Sequence, residues 1–421
     1  MNESWVPAVR RLPPELVVLV FERLPSFHDL CECSRVCRGW QPLADAETAW
    51  GAMLEQRCVD IEAERKVIAD GLSTGAAKNK ALFRSWFLRY QGFTESYTRM
   101  RRAFQRLEAW ARVYSPLVLQ SLAPGLGWMR DEQMPVRELL EVVDDSPAIR
   151  DFIMAHHIHD GQRRRTQFLD FGLFGSYECY GEFCSLSWLS SRMLQVVAMG
   201  KFSILVFAWC HATRNYLGIV VGCPSRHASQ LQHHVVQLQP RSFRFVDKGL
   251  FGNFFTTYVD ELVRGCYDVT DYRISMMPCR GPYASSSVAH GIETTVSSMF
   301  CVDETSSFRV YRYQVTFEIV DAEALGYDSV QLESRCWTVH YSNQEYLQTN
   351  GSGVVGDFPV ISADAPYYRY CSRMQDEPEG IMVVGFEGHF TVVPGLLDAP
   401  RGPALTLPVP YVHLPVPLEI L

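Results

Sequence analysis

Three changes of texture along the chain predict a multi-domain α+β protein: a short helical module, a mixed α/β domain, and an all-β two-sheet sandwich. Apolar residues recur at helical steps as far as about Val113. Strand-like apolar runs flanked by helices follow, and from Tyr283 onward short strands alternate with turns. The 421 residues, 47% hydrophobic and 20% charged, suffice for about two to four domains with sizeable cores.

The first helix is punctuated at both ends. Pro13-Pro14 opens Glu15-Leu16-Val17-Val18-Leu19-Val20-Phe21-Glu22-Arg23-Leu24, and Pro25 stops it, because proline fits a first helical turn but not an interior. This segment is apolar almost all round, more than one face against one core requires. Ser26 with Asp29 has the pattern of a helix-opening cap, followed at helical spacing by Leu30, Cys33, Val36, Cys37 and Trp40. A third short helix starting near Asp45 carries Trp50, Met53 and Leu54. So much Leu, Val and Trp on three short helices points to an interface module over 8–58. Residues 59–113 read as a helical linker, partly loop over 65–79, with Trp86, Phe87 and Tyr90 and then Met100, Ala103, Phe104, Leu107, Trp110 and Tyr114 marking apolar stripes.

The central domain, 114–265, is expected to hold a helix near 135–143. A second is opened by Asp144-Asp145-Ser146-Pro147 and carries Ile149, Phe152 and Ile153. Strands are predicted at 195–198, 202–209, 216–221 and 234–238, before a closing helix with Phe254, Phe255, Tyr258, Val259, Leu262 and Val263. Residues 266–282, with Pro278 and Gly281, read as an irregular bridge. The final domain, 283–421, shows strands at 291–300, 309–320, 330–340, 367–371, 381–393 and 405–414.

Wording adds to periodicity. Leu12-Pro13-Pro14-Glu15-Leu16, Leu24-Pro25, Asp29-Leu30, Arg35-Val36-Cys37-Arg38-Gly39-Trp40 and Trp50 together resemble an F-box. That resemblance implies docking to a Skp-family adaptor and, through it, to a cullin-based ubiquitin ligase. Leu12, Pro13, Leu16, Leu24, Leu30, Val36, Cys37, Trp40 and Trp50 would be the adaptor-binding residues. Ile149-Arg150-Asp151-Phe152, His159-Asp160-Gly161 and Gly172-Leu173-Phe174-Gly175-Ser176-Tyr177 look like the SUKH superfamily of Smi/Knr type, which implies a protein-interaction scaffold without shared catalytic residues. The C-terminal third resembles an ApaG domain through Gln331–Trp337, Gly351–Val360, Phe386-Glu387-Gly388-His389-Phe390 and Leu414-Pro415-Val416-Pro417. An immunoglobulin or fibronectin-III-like sandwich is the fold that this resemblance implies. The whole order is similar to F-box proteins ending in ApaG, such as those of plants.

These readings imply a non-catalytic receptor that brings an unidentified client protein to the ligase. An alternative is a small-molecule or phosphate sensor built on ApaG and coupled to turnover. A third reading, an enzyme with an unrecognised site, finds no G-x-S-x-G, H-E-x-x-H or P-loop motif in its favour. The net charge of −8 argues against nucleic acid, which is held by neutralising phosphates. The basic groups Arg163-Arg164-Arg165 and Arg99, Arg101, Arg102 and Arg106 read as solvated faces. No apolar run reaches membrane-spanning length, and no signal-peptide core is expected at the N-terminus. The 13 cysteines include no C-x-x-C pair. Neither metal nor cofactor is therefore expected, and reduced thiols suit a cytoplasmic or nuclear protein.

Three constellations warrant a chemical reading. Gly351-Ser352-Gly353-Val354-Val355-Gly356 spells G-x-G-x-x-G, but a dinucleotide site needs a strand before it and a helix after it, and Pro359 forbids the helix. A glycine-permissive loop connecting strands is the favoured reading; the lesser alternative is an anion-binding nest made by the free N–H groups around Gly351, Gly353 and Gly356, with no basic side chain nearby. His156-His157-Ile158-His159 places its first two rings about 100° apart on a helix, which favours histidines facing a helix C-terminus over a shared metal ion. His233-His234 on a strand is a similar case, with the two rings on opposite faces. Cys184 or Cys279 with a histidine would make a thiol–imidazole pair only if the fold brought them together.

Overall fold

The computed structural model describes residues 12–69, 78–125, 146–162, 171–213, 215–223, 228–238, 244–301, 309–376, 381–415 and 418–419. The helix expected near 135–143 and the triplet Arg163–Arg165 lie outside them. The chain divides into two compact units, Met1–Phe104 and Gln105–Leu421.

Among its described residues the first unit has helices and no strand. Helix α1 (Pro14–Phe21) begins with proline in its first turn, and Ser26 caps α2 (Phe27–Val36) by accepting from the His28 N–H. A four-residue α3 (Gln41–Ala44) and α4 (Glu47–Gln56) follow, then α5 (Ile61–Ala69), α6 (Asn79–Arg89) and α7 (Thr94–Tyr114), which runs across the division. The helices expected to be a linker share a core with those before them. Phe83 of α6 lies 5.3 Å from Phe27 and 5.4 Å from Trp50, ring to ring, and Trp86 packs edge-on to Tyr97 at 5.6 Å. Helix α6, expected in a linker, thus packs into the core of the helices before it. A buried Arg89–Glu64 pair at 2.8 Å ties α6 to α5, and burial lifts the Glu64 carboxyl above its ordinary range against the pull of Arg89.

The second unit opens with α8 (Pro116–Ser121), β1 (Leu122–Pro124), α9 (Pro147–Ile158) and β2 (His159–Gln162), with β1 and β2 paired. Strands β3 (Ser176–Cys179), β4 (Glu182–Ser185), β5 (Ser187–Trp188), β6 (Gln195–Met199), β7 (Phe202–Trp209), β8 (Tyr216–Gly222), β9 (His234–Leu238) and β10 (Arg244–Leu250) lead into α10 (Phe251–Val263). The predicted strands and closing helix fall within a residue or so of these bounds. The expected bridge is instead ordered as β11 (Tyr267–Thr270) and β12 (Arg273–Pro278). Strand β12 pairs in parallel with β3, and the sheet runs β11-β12-β3-β4. The larger sheet runs β10-β9-β8-β7-β5 with β6 on β7, and α10 and α9 lie against each other through Phe251 and Phe152 at 5.2 Å.

The C-terminal part contains β13 (Ala284–Ala289), β14 (Ile292–Cys301), β15 (Val310–Ile319), α11 (Ala322–Leu325), β16 (Ser329–Tyr341), β17 (Tyr346–Ser352), β18 (Val360–Ser362), β19 (Tyr367–Gln375), β20 (Val383–Leu396), β21 (Ala399–Pro400) and β22 (Leu405–His413). One sheet runs β13-β14-β15-β19. The other runs β17-β16-β20-β21, with β18 on β16 and β22 on β20. Their inner faces share a core in which Tyr313 and Phe317 meet Trp337, Phe386 and Phe390. A last short strand, β23 (Leu418–Glu419), returns to pair with β10 of the central sheet.

Candidate functional site

Helix α1 divides its apolar residues between two directions. Val17 and Phe21 are buried, with Phe21 edge-on to Trp40 at 5.5 Å, whereas Leu16, Leu19 and Val20 are 46%, 51% and 55% exposed. Leu16, Leu19 and Val20 follow the i, i+3, i+4 pattern of one helix face, and Leu12, just before the helix, is exposed too. Pro13, Val36 and Cys37 are also exposed. Leu24 and Trp40 are half-buried. Leu30 and Trp50, expected in the same docking set, are 0% and 4% exposed and belong to the module's own core. Each is a hydrophobe at the helix position that the sequence assigned to it. Periodicity does not separate a side chain that packs inward from one held for a partner. The exposed Leu19 and Val20 went unassigned for the same reason.

The glycine loop sits between β17 and β18 as a tight turn. Gly353 and Gly356 have φ of 58° and 88°, and Val355 has 52°. The Gly353 N–H donates to the Glu333 carbonyl at 2.8 Å, and Val354 and Asp357 exchange N–H···O bonds of 2.8 and 2.9 Å. Those donors turn into the protein rather than toward a ligand. A basic side chain does stand there, contrary to expectation: Arg335 donates to the Gly353 carbonyl at 2.6 Å, and its guanidinium lies against the Cα of Gly351. This carbonyl contact helps to fix the turn.

Similarity to known proteins falls on the same two regions. The F-box-like family matches residues 9–55 and the ApaG domain matches 302–394. Protein ApaG of Shewanella sediminis is 30% identical over 107 residues, a quarter (25%) of this chain and 75% of that protein. F-box only protein 3 of Bos taurus is 24% identical over 411 residues, covering 93% of this chain and 80% of that protein. F-box protein SKIP16 of Arabidopsis thaliana is 28% identical over 156 residues, 34% of each chain. The chain belongs to the F-box proteins with a C-terminal ApaG domain.

In this F-box protein the ApaG domain is fastened to the central part by a buried cation. Arg312 of β15 donates to Glu182 Oε2 at 2.7 Å and to the Cys301 sulfur at 3.2 Å, and its guanidinium covers the Tyr177 ring at 4.8 Å. Tyr180 and Ser372 bond across the same junction at 3.0 Å. The Cys179 thiol is lowered to about 7, first by its hydrogen bond with Cys371 and also by Arg312 nearby.

The histidine cluster is structural. Trp188 donates its indole N–H to His156 Nε2 at 2.8 Å, so His156 is neutral there, and its Nδ1 is 3.9 Å from Asp160. His159 pairs with Glu108 at 2.9 Å. His156 and His157 lie in the last turn of α9, as their spacing suggests, and burial holds His156 below its ordinary 6.5. In the second pair, His234 bonds Asp247 at 3.0 Å and His233 bonds Gln232 at 3.3 Å. Among the described residues no group of three metal-ligating side chains converges. Burial raises the Cys279 thiol to about 12, and Cys184 is raised first by its hydrogen bond with Cys210, not with a histidine, and then by burial. Both stay protonated at neutral pH, the wrong form for a nucleophile.

The lowered pKa of His156 sets a pH dependence. The unfolded chain takes up a proton near 6.5 that the folded one resists. Stability is therefore whole above that pH and declines as pH falls toward the lowered folded value, by up to about 1.4 kcal/mol per pH unit. The urea midpoint of the second unit is expected to fall between pH 7.5 and 5.5. His156→Gln, which keeps an acceptor for the Trp188 indole, should flatten that slope; an unchanged slope would assign the acid sensitivity to other groups.

Proposed function

We propose that this chain is the substrate-recognition subunit of a Skp–cullin–F-box ubiquitin ligase. The face Leu12, Leu16, Leu19 and Val20, with Pro13, Val36 and Cys37, docks a Skp-family adaptor. The central and ApaG regions hold the client. The observation that carries this reading is the exposed apolar stripe on α1 within the F-box-like segment. A helix laid into a partner's groove uses side chains at that spacing. Leu30 and Trp50 support the face from behind by packing the helices that present it.

The chain's own contribution is proximity: client and ubiquitin-charged enzyme are held in one complex, so a bimolecular encounter becomes a local one. The SUKH-type scaffold inferred for 114–265 and the ApaG domain supply two client contacts, whose effects multiply through effective concentration. Cytoplasm or nucleus is the compartment that this role implies.

Size-exclusion chromatography of the full chain mixed with a Skp-family adaptor tests the docking. A stoichiometric complex persisting at ~1 µM is expected, and added cullin should join it. Separate elution of chain and adaptor at ten times that concentration would remove the proposal.

A further inference from the structure

We propose that the seam between the central sheet and the ApaG domain is a binding site for an amphipathic organic carboxylate. A cavity of about 790 Å³ opens there, within the range of small-molecule pockets and far larger than a packing defect. Its central wall is aromatic: Phe174 lies 5.7 Å from both Phe254 and Tyr258, and the latter two stack at 6.4 Å. Met299 and Phe300 of β14 face it from the ApaG side, and Pro415 closes it where the chain turns toward β23.

Gln237 makes this cavity more than an apolar hollow. It sits in the middle of the central sheet, opposite Leu217 on one neighbour and Val246 on the other. Only 6% of it is exposed, it lines the cavity, and its Nε2 has no hydrogen-bond partner among the described residues. Buried donors are almost always paired, so an N–H set unpaired in a cavity wall marks a place for an acceptor. The acceptor's charge follows from the rim. Lys248, Arg264 and Arg280 line the cavity; Arg264 and Arg280 are exposed, and Lys248 has accessible surface yet is enclosed enough that burial lowers its pKa, against the pull of Glu261 and Asp247. Lys248 and Arg280 have no ion-pair partner among the described residues.

The two lining carboxylates are already engaged. Asp247 accepts from His234 and from the Gly249 N–H, and Glu261 accepts from the Tyr267 hydroxyl at 3.1 Å. Three cations against these two carboxylates leave the lining with a formal excess of one positive charge, and the unpartnered buried polar atom is a donor. A ligand with an apolar body and a carboxylate satisfies both. Its walls come from two domains, so binding would also stiffen the junction that orients ApaG.

Isothermal titration of the full chain with 4-phenylbutyrate and dodecanoate, each against its primary amide, reads the proposal. The carboxylates are expected to bind at least ~10-fold more tightly than the amides. Gln237→Leu removes the unpaired amide without opening a void. It should keep the melting temperature and lose about 10-fold in affinity. Exposed Lys248→Ala with Arg280→Ala should lose as much with the fold intact. A tripeptide ending in phenylalanine, with free or amidated terminus, separates the sources. Preference for the free-terminus peptide over both acids assigns the carboxylate to a protein C-terminus; preference for the acids assigns it to a small molecule. No heat from any carboxylate at millimolar concentration, or equal affinities for wild type and Gln237→Leu, overturns the assignment.

Discussion

Leu16→Asp combined with Leu19→Asp is expected to abolish adaptor binding and leave the helical module folded. Both leucines are half exposed, so little native packing is lost, and surface substitutions of this kind change stability by about 0.5 kcal/mol each. In a complex the same residues would sit in an apolar groove, where central anchors contribute roughly 2–4 kcal/mol apiece. Two carboxylates forced into that groove add a desolvation cost, so the dissociation constant should rise by at least ~10³. Titration calorimetry with a Skp-family adaptor, beside a thermal melt by circular dichroism, separates binding from folding. Retained affinity would place the docking face elsewhere. Leu24→Asp with Trp40→Ala is a poorer probe, because both side chains are half-buried and Trp40 packs on Phe21. Trp50→Ala would weaken binding only by loosening the core around Phe83.

The contrast between Leu16 and Trp50 shows where sequence reading stops. Prolines, a serine cap and helical spacing locate α1, α2 and α4, because those signals are local. Which apolar side chain faces its own core depends on where α6 lies, 30 residues later, and no local signal carries that. In the ApaG domain the strands found from sequence include those with several buried residues, β14, β15, β16, β20 and β22. Strands β13 (Ala-Ser-Ser-Ser-Val-Ala) and β17 were missed because neither buries a residue, and β17 is exposed along nearly its whole length. With no face to bury, alternation has nothing to encode. The seam was illegible for a related reason. Gln237 follows two valines as an outward-facing residue would, and Arg312 looks like a charge on a half-solvated strand. Both are buried only because two distant segments close over them. The Phe386–Phe390 motif, by contrast, was visible at once, and its glycine has a mechanical explanation.

Gly388→Ala is expected to destabilise the ApaG domain by roughly 3–5 kcal/mol, a severe loss for one methyl group. Gly388 lies on β20 directly opposite Trp337 of β16. The indole of Trp337 is held edge-to-face between Phe386 at 5.1 Å and Phe390 at 5.2 Å, the residues two before and two after the glycine. A Cβ at 388 would stand 2.0 Å from the Cys336 carbonyl oxygen and 2.9 Å from the indole edge. The first of these atoms is backbone, so relief requires β16 and β20 to part at the centre of the sheet, breaking ladder bonds and unseating the three rings. Trimming Trp337 should therefore fail to rescue the variant, and would add its own cavity cost of about 3–5 kcal/mol. Gly356→Ala is the control. It has open space around it but φ of 88°, so it carries only conformational strain of about 1 kcal/mol. Denaturant titration of the three variants decides between the two explanations. If Gly388→Ala costs no more than Gly356→Ala, the glycine is there for backbone freedom, and the close approach of strand to strand does not hold the sandwich together.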